Sequence, residues 1–312
     1  MKQFLQDVIK GLSAPKKYLE SKYFYDAKGD ELFRQIMACD DYYLNNCEME
    51  IFTTQTAELA ACFTNSLQEF DIVELGAGDA TKSVHLLKQL VDQQVHFTYY
   101  PVDISTDVIS LLHRELPRQL PDLKMQGLNG EYFNMLNKAK TLSDRNKIVL
   151  FLGSNIGNIP LQDATIFCRQ LRDSLVPGDL LLIGFDLQKD PLTILNAYND
   201  REGFTRQFNI NLLERINKEL SGNFDVSQFL HYPTYDPGTG ACRSYLLSLK
   251  DQQVEVANHS FNFYKYEPIF MEVSQKYTIS QIENLAVSSG FKTINHFFDS
   301  KNWFVDAVWE CV

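Results

Sequence analysis

The stretch Asp71–Ser83, DIVELGAGDATKS, limits what this chain can fold into more than any other segment. Ile72, Val73 and Leu75 give an apolar run of strand length, Gly76 and Gly78 give a turn, and TKSVHLLKQLVDQ continues with apolar residues at helical spacing. A strand that enters a helix through a glycine turn opens a βαβ unit, whose next strand lies parallel to the first. Strand-like runs at His96–Val102, Lys147–Leu152 and Asp179–Asp186, with a helical pattern in LQDATIFCRQLRDSL, repeat the rhythm. The expected core is an α/β doubly wound sheet with covered faces.

After Leu187 the alternation stops. A polar helix (FNINLLERINKEL), a Pro/Gly turn (YPTYDPGTG) and alternating strands (CRSYLLSLK, NHSFNFYKY, PIFMEVS) follow, which reads as an inserted α+β lobe. The helix ISQIENLAVSSG then leads into FKTINHFF and WFVDAVWE, a closing pair of strands. The expected division is residues 1–60 as a helical, aromatic-rich part of a smaller substrate lobe, 61–190 as core, 191–276 as the inserted part of that lobe, and 277–312 as the end of the core.

The 312 residues carry a formal charge of -11, which argues against nucleic acid as a partner, because phosphate binding needs a basic face. The six cysteines are scattered without a C-x-x-C pair, and the histidines lack metal-ligand spacing, so a cytoplasmic protein with reduced thiols and no metal is expected. No apolar run reaches the roughly 20 residues of a membrane helix. A small molecule is the expected ligand, and a monomer the expected state.

A Gly-x-Gly turn serves dinucleotides and other adenosine ligands alike. In the dinucleotide pattern G-x-G-x-x-G a third glycine packs helix on strand; here that position is Thr81. With Glu74 before it, the run resembles the E-x-G-x-G turn of class I methyltransferases, which implies S-adenosyl-L-methionine as cofactor. HFTYYPVDIS ends the second strand near Asp103, placed to accept both ribose hydroxyls. Glu131, in NGEYF, is a candidate for the adenine amino group, and Lys82, entering a helix, for the methionine carboxylate.

With YFYDAKGDELF, DDYYL, VELGAGDATKS, PVDIS, FLGSNIGN, DLQKD, AYND, FNINLLERINKEL and MEVSQKY in view, the chain resembles the histidine-specific, S-adenosylmethionine-dependent methyltransferases over nearly its whole length. The resemblance implies a Rossmann-like sheet with a substrate lobe, and transfer of methyl groups to the α-amine of L-histidine, up to hercynine. It also implies cofactor contacts at Tyr42, Gly76, Gly78, Lys82, Asp103, Glu131 and Tyr132, a substrate carboxylate held by Asn158 and Tyr198, and an imidazole held by Glu272 and Ser274. Tyr25 and Phe33 match the aromatic residues around the amine, with Tyr25 orienting the nitrogen. The residues themselves make this sensible: in FMEVS, Glu272 and Ser274 alternate with apolar Met271 and Val273, so a strand puts both polar side chains on one face. Another small amine or amino acid as substrate, a non-catalytic binder of the same cofactor, and a nicotinamide oxidoreductase stay open from the residues alone.

Overall fold

The first strand, β1 (Phe70–Leu75), is buried at all six positions, as a strand covered on both faces must be. It is followed by β2 (Tyr99–Asp103), β3 (Leu128–Asn129), β4 (Asn146–Phe151) and β5 (Leu180–Asp186). A second group follows: β6 (Phe229–Asp236), β7 (Ala241–Ser248), β8 (Gln252–Val256), β9 (His259–Phe263) and β10 (Pro268–Gln275). The chain closes with β11 (Phe291–Phe298) and β12 (Phe304–Cys311). The computed structural model describes residues 2–312, and its contacts divide them into two units.

The larger unit comprises Leu44–Leu187 and Lys276–Val312. Its seven-stranded sheet runs β11-β12-β5-β4-β1-β2-β3. β1 to β5 pair in parallel, and β12 is antiparallel to both β5 and β11. This is the expected doubly wound sheet with its closing pair. Helices Ser83–Asp92, Thr106–Gln119 and Leu161–Asp173 alternate with the strands, and Val73, Val102, Leu181, Phe185 and Trp309 share one buried core. Strand order reverses between β1 and β4, so the loops beyond their carboxyl ends diverge and leave a crevice at that edge.

The smaller unit combines the residues up to Tyr43 with Gln188–Gln275. It has a three-stranded antiparallel sheet, β10-β7-β6, and a hairpin of β8 and β9. Helices Lys2–Ser13, Ala27–Ala38 and Phe204–Leu220 supply Phe4, Leu12, Leu32, Phe208 and Leu213 to its core. The helix FNINLLERINKEL, polar on first reading, buries Phe208, Leu212, Leu213 and Ile216.

Two expectations need correction. Residues 44–60 belong to the sheet unit and not to the smaller one, since Glu48 of the helix Tyr43–Thr54 bonds the backbone N–H of Gly153 and the ammonium of Lys82. The segment YPTYD is also not a turn but most of β6. Pro233 is tolerated there because β6 lies at the sheet edge and loses no ladder bond on its open side.

Phe185 is fully buried, 5.1 Å from the Tyr277 ring and 5.7 Å from that of Trp309. Phe185→Ala is expected to lower stability by about 3–5 kcal/mol in urea denaturation. Val287→Ala, on an exposed helix position, should stay within about 0.5 kcal/mol of the parent protein.

Candidate active site

In the sheet unit, the turn after β1 is tied down by its neighbour: the N–H groups of Gly76 and Ala77 both donate to the Val102 carbonyl, at 2.8 and 3.1 Å. Gly76 has a φ of +75°, and a Cβ there would lie 2.8 Å from the Tyr132 hydroxyl. Gly78, at φ +54°, is different: a Cβ would meet no protein atom within 4 Å, so the backbone faces open space that a ligand can approach. Beneath the turn Glu74 accepts a hydrogen bond from the Tyr99 hydroxyl, and burial pushes its carboxyl up to about 7.

Asp103 ends β2 beside this turn. One carboxylate oxygen accepts the Gly78 N–H at 3.3 Å and the other the Ser105 N–H at 2.9 Å, which fixes the carboxylate while each oxygen keeps a lone pair for a hydroxyl donor. Gly130 donates its N–H to the Asp103 carbonyl at 3.0 Å and so places Glu131 next to it. Glu131 is exposed and precedes the helix Tyr132–Leu142 without capping it through its side chain. Tyr132 packs edge-on against Phe151 at 5.8 Å; burial, then the charges of Asp103 and Glu131, push its hydroxyl up to about 12. Asn158, exposed, closes the short helix Asn155–Asn158 beyond β4. Two glycines, a fixed carboxylate, a second carboxylate and an aromatic ring thus meet at one edge, a set suited to an uncharged ribose and an adenine.

Lys82 stands at the N-terminal boundary of the helix Ser83–Asp92, but its ammonium turns toward Glu48 and forms an ion pair with that fully buried carboxylate. Burial disfavours the lysine charge, and the adjacent Glu48 more than offsets it, so its pKa is raised. Sequence reading missed Glu48. Its signal was a carboxylate in CEMEIF flanked by Cys47, Ile51 and Phe52, which are all buried.

The smaller unit holds the remaining candidates. Glu272 and Ser274 lie on β10 opposite Ser244 and Cys242 of β7, on one face as the alternation requires. The Tyr198 hydroxyl donates to Ser274 Oγ at 2.7 Å, and the Tyr42 ring meets that of Tyr198 edge-on at 6.1 Å. Tyr42, expected with the cofactor, therefore belongs to the unit that carries the substrate candidates. Tyr25 is 46% exposed and meets Phe33 edge-on at 5.6 Å. Phe208, not foreseen, completes a triangle of rings at 5.6 Å from Tyr25 and 5.8 Å from Phe33.

Residues 4–311 match the family described as histidine-specific methyltransferase, SAM-dependent. The chain belongs to this family. S-adenosylmethionine is its cofactor, and the sheet edge just described has the donors and acceptors for it. The histidine N-alpha-methyltransferase of Mycolicibacterium smegmatis is 32% identical over 297 residues, covering 94% of this chain and 90% of that protein. The enzyme of the same name from Mycobacterium tuberculosis is 32% identical over 302 residues, covering 96% and 92%. The L-tryptophan methyltransferase trpM of Psilocybe serbica, 24% identical over 322 residues, covers 94% of this chain and 89% of its own. Relatives of this methyltransferase are thus named for different amino acids, so the acceptor has to be read from side chains outside the glycine turn. Among the described residues no helix is long and apolar enough to cross a membrane.

Removing the Asp103 carboxylate should leave two ribose hydroxyls without an acceptor. Asp103→Ala is expected to weaken S-adenosylhomocysteine binding by about 1–3 kcal/mol in calorimetry, and unchanged affinity would take Asp103 out of the site.

Proposed function

We propose that this methyltransferase acts on the α-amine of L-histidine and transfers up to three methyl groups, giving hercynine. The observation that best supports the reading is the Tyr198–Ser274 hydrogen bond. It joins AYND, assigned to the amino acid carboxylate, to MEVS, assigned to the imidazole, so two motifs far apart in sequence meet at one place. Glu272 accepts a ring N–H, and Ser274 serves the other ring nitrogen. Tyr198 and the neutral amide of Asn158 bind the carboxylate. Tyr25 orients the amine, and Phe33 lines the ground around a nitrogen that becomes quaternary, which aromatic faces attract.

Gly76, Gly78, Asp103, Glu131 and Tyr132 hold the adenosine part of the cofactor, and Lys82 its carboxylate. When bound, S-adenosylmethionine supplies a methyl group on a sulfonium, open to displacement by a neutral amine. The protein needs no nucleophile of its own. Its residues hold the amine in line with the methyl group, and such positioning supplies much of the rate enhancement. No side chain is assigned as a dedicated base, and the amine proton passes to solvent. The acidic balance supports a small molecule over nucleic acid as partner, and the protein is proposed to work as a cytoplasmic monomer without a membrane partner.

Glu272→Ala and Ser274→Ala are expected to lower kcat/KM for histidine, Glu272→Ala by about 1–3 kcal/mol in transition-state binding because a buried ring nitrogen loses its partner. Affinity for S-adenosylhomocysteine should not change. Wild-type kcat/KM for histidine in both variants would sink the imidazole assignment. Histamine, which lacks the carboxylate, should turn over far more slowly than histidine, since a site built to pair a polar group rejects the analogue without it by several orders of magnitude. Equal rates would show that the carboxylate is not recognised.

A further inference from the structure

Glu48 has surroundings that packing does not require. Its carboxylate is fully buried and rests on Gly184 of β5, where a Cβ would come within 2.3 Å of Glu48 Oε1. Both of its oxygens lie within hydrogen-bond range of the Gly153 N–H, at 2.8 and 2.9 Å. Gly153 is the first residue of the polar loop beyond β4, two residues after its last strand position. Oε2 also takes the Lys82 ammonium. A single carboxylate thus links the loop after β4 to the lysine that follows the glycine turn after β1, the two loops that border the crevice. A buried ion pair is a poor source of stability, because desolvation cancels most of its attraction.

Two further carboxyl groups face the same lysine. Asp306 of β12, paired with Gly184 of β5, is fully buried; desolvation, then the charge of Glu48, raise its pKa well above the usual carboxylate range. Glu74 of β1 is pushed up to about 7 by burial. Of the three, Glu48 is the one that forms an ion pair with Lys82. A lysine ammonium has three donors on a flexible stem, and a bond to Glu48 holds the stem while leaving donors for another anion. The Lys82 side chain keeps 17% exposure, so that anion can reach it.

We propose that Glu48 is a positioning residue of the cofactor site, which holds the Lys82 ammonium in place for the carboxylate of S-adenosylmethionine. The inference rests on the assignment of Lys82 to that carboxylate. Glu48 does not touch the cofactor and acts through Lys82.

The test compares two probes by calorimetry: S-adenosylhomocysteine, which carries the amino acid carboxylate, and 5′-methylthioadenosine, which does not. Lys82→Met should remove most of the preference for the first. Glu48→Gln should weaken S-adenosylhomocysteine by roughly 10-fold or more, the scale of a hydrogen bond to a charged group, and leave methylthioadenosine within about twofold. In kinetics the same variant should raise KM for S-adenosylmethionine more than it lowers kcat. Gly184→Ala, which displaces Glu48 without changing any charge, should give the same split, and it carries the comparison alone if Glu48→Gln does not fold. In a Lys82→Met background, Glu48→Gln should add nothing to the loss. Equal weakening of both probes by either variant, or an undiminished effect of Glu48→Gln without Lys82, would make Glu48 a structural tie and overturn the inference. If Lys82→Met itself leaves the preference intact, the lysine assignment fails, and the inference with it.

Discussion

Each central strand of the sheet unit is covered on both faces, so its side chains are committed to packing and only its carboxyl end is left to meet a ligand. That constraint decides where chemistry can sit. The residues assigned to a ligand gather at or just past the strand ends: Gly76 and Gly78 after β1, Asp103 at the end of β2, Glu131 after β3 and Asn158 after β4. The edge is stiff because neighbouring strand ends hold one another. The Val102 carbonyl takes two N–H groups of the glycine turn, and the Asp103 carboxylate takes a third. A carboxylate held in this way has little freedom left to lose when a diol arrives.

The smaller unit solves the problem differently. Its sheet is antiparallel and has one face for packing and one for polar groups, so function is carried along a strand and not at its end. Ile269 and Met271 of β10 point into the core, while Glu272 and Ser274 share the other face. The bulge between Phe270 and Glu272 is where β10 changes from one pairing to the next, just before the residues assigned to the substrate. Tyr25 meets both Phe33 and Phe208 edge to face, an arrangement that aromatic quadrupoles favour, while Phe33 and Phe208 are tilted against each other.

Much of this was legible in the sequence. β1, β4 and β5 start and end within one residue of the runs read from apolar periodicity, because a buried parallel strand needs an unbroken apolar segment and little else matches it. The positions of Asp103 and Glu131 followed once the strands were placed, while Asn158 came from the family resemblance. What escaped depends on partners remote in the chain. Pro233 reads as a turn residue until β6 is known to be an edge. Glu48 reads as a solvated helix charge until Gly153, Gly184 and Lys82 are brought around it. The hints were present as local inconsistencies: a glycine inside the apolar strand LLLIGFD and an aspartate inside WFVDAVWE. Residues that break a local pattern are where tertiary demands overrule it.

The smaller unit is assembled from two stretches of chain separated by most of the sheet unit, and this matters while the protein is being made. The helix Ala27–Ala38 packs against the helix Phe204–Leu220, which leaves the ribosome roughly 165 residues later. At about 5–20 residues per second the first helix waits on the order of ten to thirty seconds for its partner. During that time Leu32, Ile36 and the aromatic side chains before them have no core to enter. The N-terminal segment therefore stays exposed on the nascent chain until that partner emerges, and a slow stretch of codons between the two helices would lengthen its exposure without altering a single residue of the finished enzyme.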